Sequence, residues 1–372
     1  MNTKDDKDNN REQAPAAPEM NAGEHPEEKR RAPFYRALLP QKDDSRRVRI
    51  YKLLSLFFAC VFIASAAYLL NDLVIQPLLS DREQADIRSM YYTSSQPAPS
   101  SSGSDESGAE SAPVSSAPPE RDAQGRLIRF VNLQKVNPDI VGWINLPNTN
   151  IDLPVLQANT KDPEFYLSHD YNKNSSKMGS IFADAKSKVA GTETKSIVLY
   201  GHTLNSGRMF SELGKYKSYA FFKENPLFTF DTVDNPAQWK IISVILTNTL
   251  PEQGEPFDYM KTTFKNDSDY LNFMYQLRIR SLFNTGVDFN ADDQLLLLST
   301  CSYEFDDFRL VVAARRVRTG ESAAVDTSRV LYNNKTVYPD CWYRKNGGSK
   351  PVWPATYEQA VKNKVLPWSE SE

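Results

Sequence analysis

Cysteine is scarce in this chain: 372 residues hold three, Cys60, Cys301 and Cys341. Three scattered cysteines cannot make a disulfide framework or a closed zinc site with paired ligands, so a single working cysteine is the better expectation. Histidine is equally rare, at His25, His169 and His202. Charge of one sign is also lacking. With 44 Lys and Arg against 47 Asp and Glu, the formal net charge is -3, which provides no basic field and excludes nucleic acid as an expected partner. Acidic residues in the loops show no ligand-like spacing, and neither a metal nor a cofactor is expected.

Long apolar runs are nearly absent too, with one exception. Residues 53–70 read LLSLFFACVFIASAAYLL without a charge, close to the roughly 20 residues a helix needs to cross a bilayer. A secretory signal peptide is the competing reading, but the run starts far into the chain and leads into Asn71 and Asp72 without a small-residue cleavage site. The spacing predicts a transmembrane helix over 50–71. Arg46, Arg47, Arg49 and Lys52 flank its N-terminal side. Positive flanks stay cytoplasmic, so the expectation is a single-pass protein with a cytoplasmic N-terminus and the bulk of the chain outside.

Residues 1–45 are rich in Lys, Asp, Asn, Glu and Pro without apolar periodicity and read as a disordered cytoplasmic tail. Residues 72–120 read as an extracellular linker: the first twenty or so could prolong the helix, and 93–120 are almost wholly Ser, Pro, Ala, Gly and acid. A globular domain is expected over 121–318, followed by an aromatic-rich extension over 319–372. That extension carries Tyr338, Trp342, Trp353, Tyr357 and Trp368, too aromatic for a typical disordered tail, and is expected to pack onto the domain. The domain opens with a short amphipathic helix that uses Leu127, Ile128, Val131 and Leu133 and stops at Pro138. Eight β-rich runs follow, at 140–146, 151–156, 179–183, 196–202, 227–232, 239–248, 294–301 and 308–317. Helices are expected at 209–216 and 267–283. A mostly β domain with eight short strands suggests a barrel or a sandwich.

Two segments carry chemistry. SIVLYGHTLNSGRMFSEL over 196–213 and LLLLSTCSYEFDDFRLVVAARRV over 295–317 each place a reactive side chain at the end of an apolar strand. A strand that is buried until its last residue holds that residue rigidly at a rim open to substrate. Cys301 is the candidate nucleophile. A thiol with an ordinary pKa near 8.5 needs a neighbouring cation to be effective, and His202 can also carry protons to and from an amine. Arg309 follows after SYEFDDF, a polar stretch suited to a turn that brings the guanidinium back beside the thiol, where it could hold an oxyanion. Taken singly, such residues are more often a buried small hydrophobe, a turn histidine and a surface arginine. His169 is read as structural, and His25 lies in the tail.

At these residues the sequence resembles the sortase family, class B. Leu298-Ser299-Thr300-Cys301 with Arg309 resembles the family's Leu-x-Thr-Cys strand end and following arginine, and Tyr200-Gly201-His202 its histidine motif. GRMFSEL, NPDIVGWINLPNTNIDLPVLQ and EFYLSHDYNKNSSKMGSIFAD look like class B segments as well, over about 132–317. The resemblance implies a closed eight-stranded β-barrel with added helices, in a Gram-positive bacterium. It implies that Cys301 attacks the carbonyl after Thr in the C-terminal sorting signal of a secreted protein to form a thioacyl enzyme. An amine of a peptidoglycan precursor or a pilin then resolves that intermediate, with His202 exchanging protons. Tyr200, Ser299 and Thr300 are weaker candidates for substrate contact. The tail after Val317 is longer than the family usually carries and puts Cys341 beyond the membrane with Cys301, where a disulfide between the two would silence the enzyme; a free or intermolecularly paired Cys341 is the default expectation. The competing functions are an extracellular cysteine hydrolase using the same residues and a non-catalytic wall-binding protein. Papain-like proteases place cysteine before histidine, the reverse of the order here, and a chymotrypsin-like arrangement would need an acid such as Asp231 or Asp234, which nothing singles out.

Overall fold

The structure, a computed structural model, describes residues 39–93, 119–191 and 193–368. Most of the expected N-terminal tail and residues 94–118 of the expected linker lie outside the described residues. The chain forms two units, divided between Leu78 and Leu79.

In the first unit, helix α1 (Arg46–Leu70) begins at Ser45, whose hydroxyl accepts from the Val48 amide, and contains no buried residue. At 1.5 Å per residue its 25 residues span roughly 37 Å, enough to cross a bilayer. A π-helical turn, Asn71–Ile75, and helix α2 (Gln76–Thr93) continue it.

In the second unit, residues 79–93 of α2 are not a free spacer, because Ile87 and Tyr91 are buried. Helix α3 (Ile128–Val136) buries Phe130 and Leu133. Eight strands close a barrel: β1 (Ile140–Asn145), β2 (Asp152–Gln157), β3 (Ile181–Ala183), β4 (Ser196–Tyr200), β5 (Leu227–Thr232), β6 (Gln238–Thr247), β8 (Leu295–Ser302) and β9 (Phe308–Arg316). Their order around the barrel is β1-β2-β3-β4-β8-β9-β6-β5. All eight expected strands are present: β5 has the expected bounds, β2, β6 and β8 are shifted by one residue, and β1, β3, β4 and β9 are shorter. The run at 196–202 stops at Tyr200 because the chain turns at Gly201, where a side chain would strike the Phe210 ring at 2.8 Å. The run at 179–183 starts two residues late because Gly179 turns the chain at φ 59°.

The helix expected at 209–216 is a tight 3-10 segment, Ser211–Lys217, followed by a short helix α4 (Tyr219–Glu224). Helix α5 (Asp267–Ile279) starts where the Asn266 side chain caps the Asp269 amide, with two acids in the first turn favouring the helix dipole. It ends earlier than expected, since Ser281 pairs with Ile245 and β7 (Phe283–Asn284) pairs with β10 (Leu331–Tyr332).

Alternation along the strands divides the core into layers. Leu296, Leu298, Val312 and Ala314 fill the barrel interior. Leu295, Leu297, Val311 and Ala313 face out against Phe273, Met274 and Leu277 of α5. The C-terminal segment joins both layers: Cys341, in helix α6 (Asp340–Asn346), belongs to the first, and Ala360, in helix α7 (Tyr357–Lys362), with Leu366 and Trp368 to the second.

Candidate active site

The outward-facing row of β8 changes character at its end. After Leu295 and Leu297 come Ser299 and Cys301, on the same face by alternation. The antiparallel register sets Cys301 directly opposite Arg309 on β9, and Arg309 in turn opposite Thr247 on β6. Directly paired residues share a face, so thiol and guanidinium stand side by side.

On the other side β4 runs parallel to β8, with Tyr200 beside Ser299. Both chains then leave the barrel at the same rim. The Gly201 amide donates to the Ser299 carbonyl at 3.3 Å, and the Thr300 hydroxyl donates to the Gly201 carbonyl at 2.7 Å. Thr203 Oγ1 lies 2.7 Å from Thr300 Oγ1 and donates to the Cys301 carbonyl at 2.9 Å. His202 is therefore bracketed by residues bonded to Thr300 and Cys301, and the Leu-Ser-Thr-Cys and Tyr-Gly-His segments form one site.

Two of the three candidate side chains, those of His202 and Arg309, are held by backbone. His202 Nε2 lies 2.8 Å from the Leu167 carbonyl. A carbonyl only accepts, so the nitrogen facing it, Nε2, carries a proton. Arg309 Nη1 donates to the Asp307 and Phe308 carbonyls at 3.1 Å each. Among the described residues no carboxylate forms an ion pair with Arg309, so its charge remains available to an incoming group. Cys301 is partly exposed and unbridged.

The weaker candidates play different parts. Ser299 is buried and lies 2.9 Å from the Tyr259 hydroxyl. Thr300 is buried and bonds to Gly201 and Thr203, which makes it a joint between strands. Tyr200 donates to Asp184 Oδ2 at 3.0 Å, and burial, reinforced by the negative charge of Asp184, holds its phenol protonated. His169 stacks on Phe165 with ring centroids 3.8 Å apart and lies 2.7 Å from the Phe165 carbonyl, a structural place. Cys341 is buried and free, and no disulfide joins it to Cys301.

Tyr259 is the residue that motif reading missed. It lies in coil ahead of α5 and is buried, and burial raises its phenol while the Ser299 hydrogen bond and the charge of Arg309 oppose that rise. Nothing in the local sequence marks it; only the packing of that coil over β8 does.

A family model for the sortase domain matches residues 144–317. Sortase B of Staphylococcus aureus is 32% identical over 192 residues, covering 51% of this chain and 75% of the relative. The chain belongs to the sortase family. Sortase B of Listeria monocytogenes is 31% identical over 188 residues, covering 50% of this chain and 73% of its own length. The crystal structure of sortase B from B. anthracis in complex with AAEK1 superposes with a TM-score of 0.52 at 27% identity, covering 66% of this chain and 99% of that one. The closed barrel with added helices is thus a sortase barrel of the class B kind, and the family is one of cysteine transpeptidases. One N-terminal helix is long and apolar enough to cross a membrane, as fits a single-pass anchor in a sortase. The family match ends at Val317, so the segment from Arg318 onward, which packs into both layers, lies beyond it.

Proposed function

We propose that this sortase is anchored by α1 with its N-terminus in the cytoplasm, and that it cleaves a C-terminal sorting signal after Thr and transfers the new carboxyl end to an amine of a peptidoglycan precursor or a pilin. The observation that carries this reading is the cross-strand pair of Cys301 and Arg309, with the loop of His202 bonded to the same strand end.

In this mechanism the Cys301 thiolate attacks the threonine carbonyl carbon, and the carbonyl electron pair moves to oxygen. Arg309 faces that oxygen with a permanent charge, which stabilises the tetrahedral state more than the neutral ground state. Collapse breaks the C–N bond, and the leaving amine takes a proton from imidazolium His202, leaving a thioester on Cys301. The second amine attacks the thioester, gives its proton to His202, and expels the thiolate. His202 exchanges protons through Nδ1, since Nε2 is committed to the Leu167 carbonyl. Ser299, on the same face of β8 as Cys301, and Tyr200 and Tyr259 beside it flank the thiol, while Thr300 joins the two strand ends.

The test uses the full chain in detergent micelles with quenched peptides of the Pro-x-Thr-Gly and Pro-x-Thr-Asn kinds, with and without an added amine, beside Cys301→Ala. The expected outcome is a Cys301-linked acyl adduct by mass and an amine-ligated product. Cleavage that releases only free acid whatever the amine would assign a hydrolase, and no adduct with any peptide would favour a wall-binding protein.

A further inference from the structure

Within the second unit, residues 79–93 of α2 make two kinds of contact with the barrel and its loops, and only one kind is needed to dock the helix. Its C-terminal half is docked by burial: Ile87 and Tyr91 are 1% and 4% exposed, and Tyr91 stacks on Trp143 with centroids 4.3 Å apart and donates to Asp231 at 2.5 Å. Arg88 pairs with Asp152 at 2.9 Å, the carboxylate that also accepts from Tyr92 and Trp143. The half nearer residue 79 buries no side chain. Its polar contacts instead reach the two loops that hold His202.

The first is a fork. Arg208 Nε donates to Asp81 Oδ1 at 2.8 Å, and Nη2 donates to Oδ1 and Oδ2 at 2.7 and 2.6 Å. Arg208 sits in the hairpin that starts at His202. Thr203 pairs with Met209, the Phe210 amide donates to the His202 carbonyl at 3.0 Å, and Ser211 ties the Leu204 amide to the Arg208 carbonyl. Gly207 and Met209 turn through positive φ, at 74° and 53°. A short hairpin bonded at its base, where Met209 is held in the left-handed region, transmits a displacement of Arg208 to His202.

The second contact runs from the Tyr171 hydroxyl to the Glu83 carbonyl at 2.8 Å. Tyr171 belongs to the loop whose Leu167 carbonyl holds His202 Nε2. Thus one helix grips both the hairpin that carries the imidazole and the loop that fixes its tautomer.

We infer that Asp81 of the juxtamembrane helix is a positioning residue for the transfer reaction, acting through Arg208 to hold His202 at Cys301. The fork runs from an arginine that is 17% exposed to a carboxylate that is 56% exposed. An exposed pair contributes little to stability, and its effect here is on geometry, where misplacement by about 1 Å costs on the order of 100-fold in rate. The inference rests on His202 being the proton carrier proposed above.

The experiment compares Asp81→Ala, Arg208→Ala, the double variant and the exchanged pair Asp81→Arg with Arg208→Asp, all as full chain in micelles. Two readouts are taken: kcat and KM for amine transfer, and long-range proton–nitrogen spectra of the three histidines, assigned with His25→Gln and His169→Gln. Each single variant is expected to lower kcat roughly ten-fold with KM little changed. The double variant should be no worse than either single, the exchange should recover most of the loss, and the His202 resonances should move only in the variants that break the pair. An Arg208→Ala loss with a neutral Asp81→Ala would give Arg208 its own role at the substrate and overturn the inference, as would unchanged His202 resonances in both singles. Should transfer prove independent of Cys301, the chemical reading fails, and the histidine spectra still decide whether Asp81 governs His202.

Discussion

Arg309 stands opposite Cys301 without a carboxylate ion-pair partner among the described residues, and the mechanism proposed above assigns this uncancelled guanidinium to the oxyanion. Arg309→Ala should lower kcat by about 100- to 1000-fold, with a smaller effect on KM. Arg309→Lys should recover only part of this, because an ammonium keeps the charge without the planar fork; steady-state kinetics on the peptide assay decide both. The second residue-scale prediction concerns the other thiol outside α1. Burial pushes the Cys341 thiol above its ordinary value, so at neutral pH even less of it is thiolate than in a free cysteine, and the fraction grows only as pH rises through the raised pKa. Iodoacetamide at pH 7.5, read by peptide mass, should therefore label Cys301 and spare Cys341 in the native chain, and label both after denaturation. The placing of Cys301, His202 and Arg309 at one rim was legible in the sequence because each ends or follows an apolar strand in a dense motif. Tyr259 was not, because a tyrosine in coil acquires meaning only from what it covers.

At the scale of elements, the loop behind His202 is fixed by a missing side chain. A Cβ at Gly179 would lie 2.5 Å from the Leu167 carbonyl oxygen, and its φ of 59° is itself unfavourable for other residues. Gly179→Ala should thus cost about 2–4 kcal/mol from the left-handed backbone and the overlap together, and should lower kcat beyond what the fall in Tm explains, since the carbonyl that shifts is the one on Nε2. A second element braces the opposite wall. From α6, Trp342 packs at 6.3 Å from Phe305, Lys345 donates to the Glu304 carbonyl, and Arg344 donates to the Glu252 carbonyl. These contacts tie the loop after Cys301 to the segment leading to Tyr259. Trp342→Ala should cost about 2 kcal/mol and lower transfer activity, as thermal melts alongside kinetics would register. The eight strands were legible from β-branched runs and turn signals. The docking of residues 79–93 was not, because Ile87 and Tyr91 are two apolar residues in a polar stretch and only the barrel supplies their partners.

Over the whole molecule, acid sensitivity centres on one charged cluster beneath the C-terminal segment. Hydrogen bonds from Arg315 and Lys240 hold Glu321 far below its ordinary value, and those from Arg318 and Arg315 outweigh burial to hold Asp288 down as well. Both carboxyls have depressed folded-state values, so their stabilisation is complete above their ordinary 4.5 and 3.8 and is lost as pH falls below that range. Melting temperature should therefore drop steeply below about pH 4, and Glu321→Gln should flatten that drop while lowering Tm at pH 7, because it leaves the buried Arg315 short of a partner. The parallel pairing of β4 with β8 carries a further consequence, one of timing. His202 and Cys301 come from strands separated by nearly a hundred positions in the chain, and a contact so distant in sequence forms only once the intervening residues are in place. A polypeptide emerging from its N-terminus first thus carries its histidine hairpin long before Cys301, and the two are brought together only when β8 pairs with β4 and the barrel closes.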